Sequence, residues 1–133
     1  MTTITANKTL GIDLNPAFYT SPVVIGAGVT ISNSPEYVVY RHTGATTFFT
    51  IQNDGTITGP PMFIAIGVYL APGGSVTNAA TGYIRGVKIS DGAGTVVNDG
   101  NITETTHSPP ASICILADRS PTERPLISWV STA

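Results

Sequence analysis

The feature that most constrains this chain is a short β-favouring run that ends in asparagine and keeps returning. It occurs as GVTISN (28–33), FTIQN (49–53), GSVTN (74–78) and GTVVN (94–98), so that Asn33, Asn53, Asn78 and Asn98 are spaced by 20, 25 and 20 residues. The continuations are also alike: DGTITG after Asn53, AATGYIRG after Asn78 and DGNITET after Asn98. A unit of this size holds two or three short strands and cannot bury its own apolar face. Stacking such units closes a common interior, with neighbouring strands about 4.8 Å apart.

The expectation is therefore an all-β chain: a right-handed parallel β-helix, or β-solenoid, of about four coils with an irregular C-terminal tail. The right hand follows the general rule for parallel crossovers. Residues 1–22 are expected to form an N-terminal cap or lead-in strand, with Phe18 and Tyr19 covering apolar surface. Residues 23–104 form the coils, and residues 105–133 the tail. Val29, Ile31, Phe49, Ile51, Val76, Ile84, Val87, Ile89, Val96 and Ile102 are expected in or near the core. The turns between strands carry Asp-Gly, Pro-Gly, Gly-Gly or Asn, which tolerate tight or left-handed backbone. Composition agrees: charged residues are 11% of the chain, against roughly 25% in ordinary globular proteins.

The recurring asparagine reads as structural. Asn fits a corner, and amides stacked from coil to coil can hydrogen-bond along the axis. Asn33, Asn53, Asn78 and Asn98 are thus expected to form a ladder that supports the fold and performs no catalysis.

After Thr105 the period stops. One explanation is a capping segment, since solenoid ends are atypical. A second is that the tail is written out of frame. From the Pro110 codon, joining the last nucleotide of each codon to the first two of the next permits GVYLYPGGSVTNGATAYI, one aliphatic residue, then GV. The in-frame unit 67–87 reads GVYLAPGGSVTNAATGYIRGV. The two agree at most positions without a gap, although codon choice leaves freedom mainly at the first base of each shifted codon. This reading places a frameshift between Glu104 and Pro110 and leaves the tail without a selected role.

The stretch GVYLAPGGSVTNAATGYIRGVKISDGAGTVVNDGNIT (67–103), with the looser SPVVIGAGVTISN (21–33) and FFTIQNDGTITG (48–59), resembles the passenger repeats of autotransporter and haemagglutinin-like surface proteins of Gram-negative bacteria. The resemblance implies export, display at the cell surface, and adhesion to surfaces, glycans or like molecules. Met1 to Leu10 has neither a basic start nor an apolar core, so no signal peptide is expected.

Chemistry beyond this is sparse. His42 reads as an exposed turn residue; His107 and the lone Cys114 lie in the tail, and no spacing suggests a metal or cofactor site. Asp54, Asp91 and Asp99 each precede glycine and fit tight turns. Asp54 and Asp99, each following a ladder Asn, are the one pair of carboxylates that stacking is expected to align. No catalytic, cofactor-binding or metal residues are assigned, and the chain is expected not to be an enzyme. Thr47, Thr50, Thr56, Thr58, Thr77, Thr95 and Thr103 would form outward rows. Regular rows would favour ice binding, and a charged cleft a small carbohydrate-active β-helix enzyme. The net charge of −2 gives no basis for a nucleic-acid partner, and no apolar run is long enough for membrane insertion. The expected partners are the chain itself, through open solenoid ends, and surface glycans.

Overall fold

The computed structural model describes residues 1–32, 36–59 and 66–103, together with the backbone of two later strands, 113–114 and 126–129. The described residues contain strands, turns and no helix. The strands are β1 (Thr2–Ile4), β2 (Ile12–Asp13), β3 (Val23–Ile25), β4 (Thr30–Ile31), β5 (Tyr37–Arg41), β6 (Phe49–Asn53), β7 (Thr56–Ile57) and β8 (Ile66–Leu70). They continue with β9 (Gly74–Asn78), β10 (Tyr83–Arg85), β11 (Val87–Ile89), β12 (Gly94–Asn98), β13 (Asn101–Thr103), β14 (Ile113–Cys114) and β15 (Leu126–Trp129).

These strands form three sheets, ordered β1-β3-β6-β9-β12-β15, β4-β7-β10-β13 and β2-β5-β8-β11-β14. From β3 to β13 the chain visits the sheets in rotation, and each strand pairs in parallel with the strand three places later. This order fits a parallel β-helix, in which the backbone bonds run between successive windings.

Alternation decides what faces inward. In β6, Phe49, Ile51 and Asn53 are buried, while Thr50 and Gln52 between them are not. Repeated in register, the inward positions make three apolar files, one per sheet: Val23–Ile51–Val76–Val96, Ile31–Ile57–Ile84–Ile102 and Ile12–Val39–Val68–Val87. All twelve are buried in one continuous core. Burying one such side chain is worth roughly 1.5–3 kcal/mol, so the files supply the main drive for stacking. The ten core residues expected from the sequence are all buried.

The phasing of the first repeat differs from the sequence alignment. The repeat aligns GVTISN with FTIQN, yet Thr30–Ile31 pairs with Thr56–Ile57, and it is Val23–Ile25 that lies beside Ile51–Asn53. The T-I pair and its preceding glycine occur in both GVTI and GTIT, and the isoleucine file selects the second match. Asn33 lies outside the described residues.

The segment 1–22 joins the stack through two strands and a bridge. β1 pairs with β3, Lys8 bridges to Ile31, and β2 pairs with β5, so this segment reaches all three sheets. Tyr19 packs against the core, whereas Phe18 is 78% exposed. Asn15 explains the difference: its carbonyl accepts from Phe18 N and Tyr19 N, and its Oδ1 accepts from Ala17 N, folding a turn that holds Phe18 outward.

The tail, which has no period in the sequence, contributes β14 and β15. They run antiparallel against β11 and β12, so the strand direction reverses there and two of the three sheet edges at that end are paired.

Candidate functional site

Two sets of polar and aromatic side chains are brought together by the windings. The first lies inside, at the corner between the first and second sheets. Asn53, Asn78 and Asn98 end β6, β9 and β12 in direct register. Asn53 Nδ2 donates to Asn78 Oδ1 at 2.8 Å, and Asn78 Nδ2 donates to Asn98 Oδ1 at 2.8 Å. Each amide also bonds a turn carbonyl of its own winding: Asn53 to Gly55 O (3.0 Å), Asn78 to Gly82 O (3.2 Å) and Asn98 to Gly100 O (3.3 Å). Asn53 and Asn78 reach a third acceptor in the next winding, Tyr83 O and Asn101 O, each at 3.2 Å.

Asn53 and Asn78 are almost fully buried. An amide buried without partners costs roughly 1–3 kcal/mol, and the ladder removes most of that cost. Glycine at the following corner is part of the arrangement. A Cβ on Gly82 would collide with Asn78 Oδ1 and the Asn53 carbonyl, and one on Gly100 with the Ala79 and Gly82 carbonyls. The sequence reading named the asparagines and missed these glycines. Their signal was the Gly two or four residues after each ladder Asn.

The ladder has two unlike ends. The residue across from Asn53 in the preceding winding is Ile25, which cannot donate, and Asn53 Oδ1 is buried with no partner. At the other end Asn98 Nδ2 has only Gly100 O among the described residues.

The second set lies on the outer face of the third sheet. Asp13, Tyr40, Tyr69 and Lys88 follow one another in register. Tyr37 stacks on Tyr69 with ring centroids 4.3 Å apart, Tyr40 lies 6.4 Å from Tyr37, and His42 meets the Tyr40 ring edge-on at 4.8 Å. Lys88 Nζ stands 5.2 Å from the Tyr69 ring centroid, a cation–π contact worth about 0.5–1 kcal/mol when exposed. Burial first, and then the hydrogen bond and charge of Glu36, push Tyr37 up to about 12. Tyr37 and Tyr40 stay half-exposed and His42 is exposed, so ring faces, phenol hydroxyls and an imidazole converge on one surface.

The remaining candidates are dispersed. Asp54 and Asp99 occupy equivalent corners, but Ala79 takes that corner in the winding between them. His107 lies outside the described residues, and of Cys114 only the strand pairing to Lys88 is described. Among the described residues no three His, Cys, Asp or Glu are grouped as metal ligands. The seven threonines are all half-buried and form no uniform rows: Thr50 is followed in register by Ser75 and Thr95, and Gln52 by Thr77 and Val97. Thr50 Oγ1 and Ser75 Oγ bond each other at 3.0 Å. No family model, curated protein or solved structure matches the chain.

Proposed function

We propose that this chain is a non-catalytic structural and adhesive module, part of the passenger of a bacterial surface adhesin. In this reading it is a right-handed parallel β-helix of about four coils that binds surfaces, glycans or copies of itself. The observation that carries the reading is the asparagine ladder: the recurrent polar residue of the repeat has its amide directed along the stack, to other ladder amides and to turn carbonyls. Side chains so engaged hold windings together and offer nothing to a substrate. What the repeat leaves outward is long and shallow, with the Tyr37–Tyr40–His42 cluster as its most distinctive patch. An aromatic face packs on the apolar side of a sugar ring, while hydroxyl and imidazole groups beside it bond sugar hydroxyls. The resemblance of 67–103 to adhesin passenger repeats supports the same reading.

The test is binding of the purified chain to a glycan array and to abiotic surfaces, with the double variant Tyr40→Ala/His42→Ala beside it. Retention by the parent chain and at least about tenfold weaker retention by the variant, a difference of about 1.4 kcal/mol, supports adhesion through this face. Release of reducing ends from a polysaccharide panel, or thermal hysteresis in solution, would replace it with an enzymatic or ice-binding role.

A further inference from the structure

We propose that the end of the stack formed by β11, Asn98 and β13 is the docking surface for one further winding, and that this winding is written in the same gene, displaced by one nucleotide from the frame that encodes the tail. The first part rests on what is unfinished at that end. Asn53 and Asn78 each offer their two amide hydrogens to a turn carbonyl, to the next ladder oxygen and to a carbonyl of the next winding. Among the described residues, Asn98 has the turn carbonyl alone. β13 pairs with β10 on one side and with no described strand on the other. Asn101 N already donates back to Gly82 O. Successive residues of a parallel ladder bond to opposite neighbours, so Ile102 turns its N–H outward.

The second part is the fit of the occupant. The displaced reading GVYLYPGGSVTNGATAYI supplies a parallel partner for each of the three strands in order. Its VYL lies on Val87-Lys88-Ile89, as Val68-Tyr69-Leu70 does in the preceding winding. Its GSVTN lies on Gly94–Asn98, as Gly74–Asn78 does, and brings the ladder oxygen that Asn98 lacks. Its YI falls on Asn101-Ile102, as Tyr83-Ile84 does, and extends the isoleucine file. An unrelated tail has no reason to encode three strands in the right order, with inward residues of the right kind and an asparagine at the ladder corner. In the present chain β14 and β15 cover β11 and β12 in antiparallel fashion, and no described strand pairs with the far side of β13.

The inference rests on the stacked windings and not on adhesion; its tests read codons and amide exchange, so it stands or falls apart from surface binding. The gene must carry GAT, CGG, TCA and CCA for Asp118, Arg119, Ser120 and Pro121, because only these write Ser-Val-Thr-Asn with the third base of Asp118 leading. The full-length chain is then compared with one in which a single nucleotide, inserted between the codons for Glu104 and Pro110, restores the displaced frame. In the restored chain the Ile102 amide exchanges about tenfold more slowly or better, and Asn98→Ala is more destabilising than it is in the present chain. Any other set of those codons, an unchanged Ile102 exchange rate, a restored chain that does not fold, or an equal effect of Asn98→Ala in both chains overturns the proposal.

Discussion

Ile25 stands directly across from Asn53 in neighbouring windings, and the Asn53 Oδ1 that faces that winding is buried without a hydrogen-bond donor. A ladder that runs donor to acceptor needs a terminus, and here an isoleucine supplies it. Ile25 itself is fully buried, so apolar contact is retained where polar contact stops.

This pairing predicts an unusual substitution ranking. Ile25→Ala removes buried carbon and is expected to cost about 2–5 kcal/mol. Ile25→Asn loses the same apolar packing but adds a donor beside the orphaned acceptor; its own oxygen then faces Ile4, so the saving over alanine is that of one hydrogen bond at most, about 0.5–1 kcal/mol. Urea unfolding of both variants measures the difference; equal midpoints would show that Asn53 Oδ1 gains nothing from a donor.

Position along the ladder sets the second prediction. Asn78 both accepts from Asn53 and donates onward, whereas Asn98 is the last ladder residue among those described and donates only to its own turn carbonyl there. Asn78→Ala strands buried partners on both sides and costs about 2–4 kcal/mol, with Asn98→Ala nearer 1 kcal/mol. Chemical denaturation of the two single variants gives the order.

The corner glycines give a third. Gly82→Ala places a methyl group against Asn78 Oδ1 and the Asn53 carbonyl, so it is expected to destabilise by at least about 2 kcal/mol, well beyond an ordinary surface change. Gly28→Ala meets nothing nearby but has φ +76°, so its cost comes from backbone strain alone, about 1 kcal/mol. The two thermal midpoints separate a packing requirement from a conformational one.

The fourth concerns alkaline pH. Tyr37 is pushed up to about 12 from an ordinary 10.0, first by burial and then by Glu36. Its contribution to stability is fully present below pH 10. Between about pH 10 and 12 the unfolded chain ionises this tyrosine and the folded chain does not, so stability falls across that window. Tyr37→Phe removes this share of the decline. Ultraviolet titration of phenolate and denaturation at pH 9 and 11.5 check it; a Tyr37→Phe chain as alkali-sensitive as its parent would show that this phenol titrates normally.

How much of this was readable beforehand follows from period and spacing. A side chain that must face inward at every second residue leaves an alternation, so Phe49 and Ile51, Val87 and Ile89 were identifiable without coordinates. Asn53, Asn78 and Asn98 were visible because one corner repeats one chemistry. The first winding was misphased because the residue at its ladder corner is Ile25, and nothing local marks an isoleucine as the partner of an asparagine. The aromatic face was missed for a different reason. Tyr40, Tyr69 and Lys88 are neighbours only once three windings are in register, and each alone reads as an unremarkable strand residue. The hint was Val-Tyr in 39–40 and 68–69 followed by Val-Lys in 87–88.

The amides of Asn53 and Asn78 point the same way along the stack, and this gives the molecule a vector. Two copies meeting face to face at their Asn98 ends would present donor to donor, so the ladder opposes a twofold-symmetric dimer there. Head-to-tail joining would need an acceptor at the opposite end, and Ile25 together with the segment before it shuts that position. Extension of the ladder itself is therefore one-sided, toward coils of the same polarity beyond Asn98.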